Sequence, residues 1–224
     1  MTTSAGSDTK DKLMRAAERL FAVDGVHTAQ LRDIVRLAGQ SNPSAVHYHF
    51  GSREGLFEAV MRARQQRVDR VLTERLAARQ ADRARASDGE ADPLAEAVTL
   101  LVETEATELA QERGWYGLLI NAQSSRESGV RTGTPHPFLV GTPYWELFTG
   151  IADLLARRYR LDEPVRLERL DLALTVIGAA LADRARQYLD GRTPLTGERF
   201  FLDDLAATTT ALLRAPLLAS PPTP

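Results

Sequence analysis

The stretch Leu31–Phe50, LRDIVRLAGQSNPSAVHYHF, decides how this chain is read. Ile34, Val35 and Ala38 recur at helical spacing and give a first short helix an apolar stripe. Gly39 supplies the break. Asn42 then suits an N-cap and Pro43 the first helical position, where a missing N–H costs nothing. Ala45, Val46 and His49–Phe50 carry a second short helix back onto the core. A helix, a tight Gly-containing turn and a second helix make a helix-turn-helix, whose second helix suits the major groove of DNA.

Working outward, Leu13, Ala16, Ala17, Leu20 and Phe21 share one face of a preceding helix from about Asp8 to Val23, which Asp24-Gly25 ends. On the other side Gly51-Ser52 opens a long fourth helix with Ser52 as N-cap. Its stripe of Leu56, Phe57, Val60, Met61, Val68, Val71, Leu72 and Leu76 lasts to about Ala81, and Arg62, Arg64, Arg67, Arg70, Arg75 and Arg79 are assigned to its exposed faces. Asp82 to Asp92, with Ser87-Asp88-Gly89, has loop composition. A fifth helix follows through Leu94, Val98, Leu101 and Leu109. Gly114 interrupts, and Trp115 to Ser124 reads as a sixth. Ser125 to Thr142 is expected to be a long loop. Thr142-Pro143 caps a seventh helix carrying Tyr144, Phe148, Ile151, Leu155 and Tyr159. The eighth, about Glu163 to Asp190, repeats Leu167, Leu170, Leu174, Ile177 and Leu181 in steps of three and four, a seam suited to antiparallel packing. A last helix spans about Thr196 to Arg214, and Ser220 to Pro224 forms a tail. No alternating run argues for a sheet. The expectation is an all-α chain of about nine helices.

Bulk properties narrow the function classes. The chain has 224 residues, 43% of them hydrophobic and 26% charged, which is enough to bury a real core. No apolar run approaches the ~20 residues of a membrane span, and the polar segment Thr2 to Asp11 is unlike a signal peptide. A cytoplasmic protein with no membrane partner is the plain expectation. Absence of cysteine excludes disulfide scaffolds and cysteine-based metal or redox chemistry. A net charge of -2 gives no global attraction to nucleic acid, so any basic patch must be local.

The segment Lys10 to Met61 resembles the N-terminal domain of the TetR/AcrR family of transcriptional regulators. The residues that carry the resemblance are Ala16-Ala17-Glu18-Arg19-Leu20-Phe21 with Gly25, Leu31-Arg32-Asp33-Ile34, Ala38-Gly39 and above all Tyr48-His49-Phe50-Gly51-Ser52-Arg53-Glu54-Gly55-Leu56. Three departures stand out. One extra residue lies between Gly39 and Val46, so base-contacting positions do not carry over. Ala29 stands where the family has a Thr that caps the second helix, leaving Thr28 to take over. Val35 replaces a usual Ala at the contact between the two helices. The resemblance implies a three-helix helix-turn-helix domain, residues 1–53, and a helical domain for effector binding and dimerisation, residues 54–224. It further implies a homodimer on double-stranded DNA with an inverted-repeat operator, and a small-molecule effector of unknown type enclosed by helices four to eight. A repressor is favoured, because the family mostly represses.

Candidate DNA-contacting residues follow from position and chemistry. Asn42, Ser44 and His47 sit at the start of the second helix of the motif, and Ser41 reads either as a base reader or as a cap. Tyr48 and Arg53 match family positions that resemble phosphate contacts, and Thr28 and Gln30 could touch the backbone. In the C-terminal part, Trp115, Tyr116, Asn121, Gln123, Tyr144, Trp145, Phe148 and Arg184 combine apolar bodies with polar tips, the mixture that lines small-molecule pockets and also fills helix-packing cores. Arg126 and Arg131 could gate an anionic ligand or be solvated. Leu170, Leu174, Ile177 and Leu181 with Phe201, Leu205 and Leu212 are the candidate dimer seam. No cofactor and no metal are expected, since His47 and His49 fall about 200° apart around a helix. Ser44, His47 and Asp33 lack a strained nucleophile elbow, so no enzyme is expected. A DNA-binding regulator with no effector is the main alternative, and an enzyme on a helical scaffold the remoter one.

Overall fold

The computed structural model describes residues 3–42, 44–85, 92–124 and 129–217. Pro43, Arg126, the Ser87-Asp88-Gly89 loop and the Ser220 to Pro224 tail lie outside the described residues. The described helices are α1 (Thr3–Asp24), α2 (Leu31–Leu37), α3 (Ser44–Phe50), α4 (Arg53–Arg85), α5 (Pro93–Ala106), α6 (Glu112–Ser124), α7 (Pro143–Tyr159), α8 (Glu163–Leu189) and α9 (Glu198–Arg214). Short 3-10 turns occur at Thr107–Ala110 and Val130–Thr132, and the described residues contain no strand.

α1, α2, α3 and the start of α4 close around Leu13, Ala17, Phe21, Ile34, Val46 and Leu56, all fully buried. Phe21 meets Phe57 edge-on at 5.6 Å. Gly39 takes a left-handed φ of 68°, and the Gln40 N–H then reaches the Val35 carbonyl at 3.0 Å, the bond that seals a helix C-terminus through a glycine. Asn42 Oδ1 accepts the Ser44 N–H at 2.9 Å, which starts α3. Ser52 Oγ accepts the Gly55 N–H at 3.0 Å and starts α4. Thr28 does not cap α2. Its hydroxyl donates backwards to the Asp24 and Gly25 carbonyls, and α2 begins at Gln30 with no side-chain cap.

The rest of α4 packs with α5 to α9 around a second core that includes Val68, Leu72, Leu94, Leu101, Leu118, Ile151, Leu155 and Leu181. The changeover between the two cores falls inside α4, between Met61 and Val68. Asp92 caps α5 and Thr142 caps α7, each followed by Pro at the first helical position. The break between α5 and α6 is the 3-10 turn Thr107–Ala110 rather than Gly114. Gly114 lies in the first turn of α6, where a Cβ would stand 2.0 Å from the Glu108 carbonyl oxygen. Only a glycine lets α6 press onto that turn. α6 then packs against α8 on one side and α1 on the other.

Two expectations need correction. Leu170, Ile177 and Leu181 are 3%, 3% and 0% exposed, and Leu205 is likewise buried, so the regular seam of α8 faces its own chain. Leu174, Phe201 and Leu212 are half-buried against that same core. Beyond its first turn, the outward residues of α8 are Glu168, Leu172, Thr175, Ala179 and Asp183. Arg64, assigned above to a solvated face, is 3% exposed.

Candidate nucleic-acid interface and interior cavity

α3 is held from beneath by Val46, which is fully buried, so its opposite side must face out. Ser41, Asn42, Ser44, His47 and Tyr48 are all exposed there, Tyr48 at 84%. Local bonds already constrain what they can offer. Asn42 uses its carbonyl oxygen on Ser44, leaving its NH₂ donors free to point outward. His47 Nδ1 lies 2.9 Å from the Gly51 carbonyl, which only accepts, so Nδ1 carries the proton and Nε2 is presented as an acceptor. Tyr48 packs edge-on against His49 at 4.9 Å, which orients its hydroxyl without covering it.

Arg53 and Thr28 do different work. The Arg53 guanidinium donates to the carbonyls of Ala29, at 3.2 Å, and Val26, and lies 5.3 Å over the Phe21 ring. It pins the α1–α2 connection rather than reaching outward. Gln30 is exposed and donates to the Thr28 carbonyl at 3.0 Å, so both residues belong to that same connection. Arg32 and Arg36, which the helix-turn-helix pattern does not mark as contacts, project from α2 with side chains 84% and 82% exposed, each near Asp33. They are exposed, local cations on a chain whose net charge is -2.

A cavity of about 70 Å³ lies between α4, α6, α7 and α8. One water needs roughly 10–15 Å³ on this scale, so the space exceeds a single water. Of the candidates, Asn121, Tyr144 and Phe148 line it. Phe57, Met61 and Gln65 of α4, Phe138 and Leu139 of the loop, and Leu174, Ile177 and Gly178 of α8 supply other walls. Glu105 and Ser124 complete the polar side.

The remaining ligand candidates lie elsewhere. Trp115 donates to the Leu109 carbonyl at 2.7 Å, and Trp145 stands 6.2 Å from Phe148 on the core. Tyr116 donates to Glu112 at 2.6 Å on the surface. Gln123 accepts the Val26 N–H at 3.0 Å, tying α6 to the end of α1. Arg184 donates to the Thr196 carbonyl at 3.0 Å and stacks 4.0 Å from the Phe201 ring. Arg131 is exposed, 3.7 Å from Asp171.

Behind the cavity lies a buried polar cluster. Glu105 accepts from Arg64 through one oxygen and from the Tyr144 hydroxyl through the other. Arg64 Nε also stands 3.4 Å from Glu108 in an ion pair without hydrogen-bond geometry, and Arg67 reaches the same Glu108 at 3.3 Å. Burial by itself would lower the Arg64 pKa, but Glu105 and Glu108 more than offset it and hold the guanidinium charged. Burial, reinforced by the Glu105 carboxylate, pushes the Tyr144 phenol well above its ordinary value, so it remains a donor. Gly117 makes room for this cluster, because a Cβ there would stand 2.6 Å from Glu108 Oε2 and 3.2 Å from Arg64.

Comparison with known proteins adds the following. Residues 13–60 match the family described as bacterial regulatory proteins, tetR family. A 73-residue stretch is 37% identical to an uncharacterized HTH-type transcriptional regulator, YdgC, of Bacillus subtilis (strain 168). That match covers 33% of this chain and only 36% of the relative's own length. Among solved structures, the fatty acid degradation regulator FadR from Bacillus halodurans shares the fold over 94% of this chain and 96% of its own, with a TM-score of 0.52 and 15% identity. A Rhodococcus sp. protein assigned to the TetR family of transcriptional regulators does so over 92% and 96%, with a TM-score of 0.52 and 17% identity.

Proposed function

We propose, from an N-terminal domain that belongs to the tetR family of bacterial regulatory proteins, that this chain is a dimeric sequence-specific DNA-binding regulator, a repressor released when a small molecule fills the interior cavity. The observation that carries the reading is the α3 surface. Five polar or aromatic side chains from Ser41 to Tyr48 face outward while Val46 anchors the helix to a closed apolar core. Asn42, Ser44 and His47 are the base readers of this proposal, and Tyr48 with Arg32 and Arg36 engages phosphates. The two functional units, residues 1–53 and 54–224, share α4 as their common beam.

Dimerisation is assigned to the outward stripe of α8, Leu172, Thr175 and Ala179. Leu172 is 51% exposed, and the small residues Thr175 and Ala179 allow close helix approach. Leu172→Asp is expected to give folded monomers by sedimentation velocity, and a persisting dimer moves the interface elsewhere.

Release works through α4 and α6. Both line the cavity, and α6 also holds α1 through Gln123 to Val26 and through the two-pronged Arg113–Glu18 pair at 2.7 and 2.8 Å. A ligand that shifts these helices changes the separation of the two α3 helices, which must stay near ~34 Å to engage successive major grooves. A coupling of ~1–3 kcal/mol lowers operator affinity about 5- to 150-fold. Selection of binding sites from random duplex DNA, repeated across salt concentrations, tests the whole reading. A two-fold symmetric motif is the expected result. Featureless, purely salt-sensitive binding overturns it.

A further inference from the structure

We propose that the interior cavity selects a small organic cation, an aromatic or apolar body bearing a protonated amine, and that Glu105 receives the amine. The proposal rests on the cavity being the effector site. Among the described lining residues Glu105 brings a full charge, and no Lys, Arg or His joins it. Its carboxylate is 3% exposed and spends one oxygen on Arg64 and the other on Tyr144. A carboxylate offers about four lone-pair sites, so both oxygens keep capacity for a further N–H donor.

The cation that balances Glu105 does not face the cavity. Arg64 lies on the far side, turned toward Glu108 and against Gly117. The charges gathered behind the polar wall are the cations of Arg64 and Arg67 and the carboxylates of Glu105, Glu108 and Asp69, an excess of one negative charge. Asp69, which accepts from Gln65 Nε2 at 3.1 Å and from the Tyr144 N–H at 3.3 Å, is raised in pKa by burial and also by Glu105. At Tyr144 burial raises the phenol pKa first, and the Glu105 carboxylate adds to it. Phe57, Phe138 and Phe148 supply aromatic faces around the space, and such faces attract a desolvated cation. An anionic head group would meet Glu105 with no cation on the wall to receive it.

The arrangement also says how such a ligand would be sensed. An amine on Glu105 competes with the Tyr144 hydroxyl and with Arg64, the contacts that tie α5 to α7 and to α4. Loosening them acts on the helix that carries the DNA-binding unit.

Three probes of matched shape test this on the full chain at neutral pH: 2-phenylethylamine, 2-phenylethanol and 3-phenylpropanoate, titrated by calorimetry. The amine is expected to bind at least ~10-fold more tightly than the alcohol, the span of a hydrogen bond to a charged group, and the acid not at all. Preference for the acid or the alcohol overturns the ligand class while leaving an effector site in place. Binding of none of the three overturns the effector site itself. Glu105→Gln is expected to erase the preference for amine over alcohol. Because that change strands Arg64, the double variant Arg64→Met with Glu105→Gln serves as the folded control, and a preference that survives in it overturns the role of Glu105. Gly178→Leu, which projects into the cavity, is expected to abolish amine binding. Undiminished binding there places the amine elsewhere.

Discussion

The two cores of this molecule bury different things. The N-terminal core is apolar, and its buried charge, Glu18, is answered from outside by Arg113 of α6. The C-terminal core encloses Arg64, Gln65, Glu105, Glu108 and Tyr144 in one connected cluster. The first unit keeps its polar groups on the surface, where the side chains from Ser41 to Tyr48 stay hydrated. The second holds its chemistry indoors, where every polar group carries a desolvation cost unless matched. A recognition surface needs a rigid support, and a core that is apolar but for Glu18 supplies one. The proposed effector cavity needs oriented polar groups that water does not satisfy first.

The sharpest way to break this contrast is Arg64→Met. It leaves Glu105 and Glu108 buried beside an apolar side chain, and a cost of ~3–5 kcal/mol in urea unfolding is expected. A loss below ~1 kcal/mol would mean that the cluster is solvated in solution and that the two cores are alike. The surface side of the contrast is tested next by Tyr48→Phe. Operator affinity is expected to fall by about 10- to 100-fold, the loss of a hydrogen bond to a charged group, with thermal stability unchanged. Equal affinity in electrophoretic shift assays removes the hydroxyl from the interface. A smaller effect of opposite sign is expected at Gly178, where a Cβ meets nothing within 4 Å. Gly178→Ala should raise stability by up to ~1 kcal/mol from helix propensity alone, and an unchanged urea midpoint would show that the wall is not open there.

The last and weakest effect is one of pH. Below about pH 10 the Tyr144 phenol is protonated both folded and unfolded, so it contributes no slope. Above that the unfolded chain releases its proton first, because the folded pKa is raised, and stability falls as pH rises. Tyr144→Phe should flatten that limb, and an unaltered slope would place the phenol in contact with water.

The legibility of the sequence followed the range of the interactions. The N-terminal unit is built from neighbours. Gly39, Asn42, Ser52 and the Leu13–Phe21 stripe each act within a few residues, and each does in the structure what its spacing implies. The chamber is built from pairs far apart, such as Arg64 with Glu105, 41 positions along the chain. A signal for them exists in the sequence. Arg64 stands four residues from Val60 and four from Val68, on the apolar stripe itself, and Glu105 extends the stripe of Leu94, Val98 and Leu101. A charge in register with an apolar stripe marks a buried charge in search of a partner.

The seam of α8 misled for the converse reason. Periodicity identifies which face of a helix is apolar but not which neighbour covers it, and Leu170, Ile177 and Leu181 are covered by their own chain. The interface candidates are the small and scattered residues that periodicity ignores. Arg53 and Thr28 carry a related lesson, since a side chain near DNA-facing elements can be wholly occupied in holding their connection together.

The fastening of α6 to α1 bears on how portable the recognition unit is. Arg113 grips Glu18 near one end of α6, and Gln123 grips Val26 near the other, ten residues or ~15 Å apart. Two fixing points leave no pivot, so α1 must follow both the displacement and the tilt of α6. A chimera spliced at residue 53, with a foreign N-terminal unit, would inherit the shared α4 and could keep the Gln123 bond, which needs only a backbone N–H at position 26, but would lose the Arg113 fastening unless a carboxylate stood at position 18. Under the proposed function, such a hybrid would keep operator binding and respond weakly to ligand. Modularity here has a lock, and its two teeth are on α6.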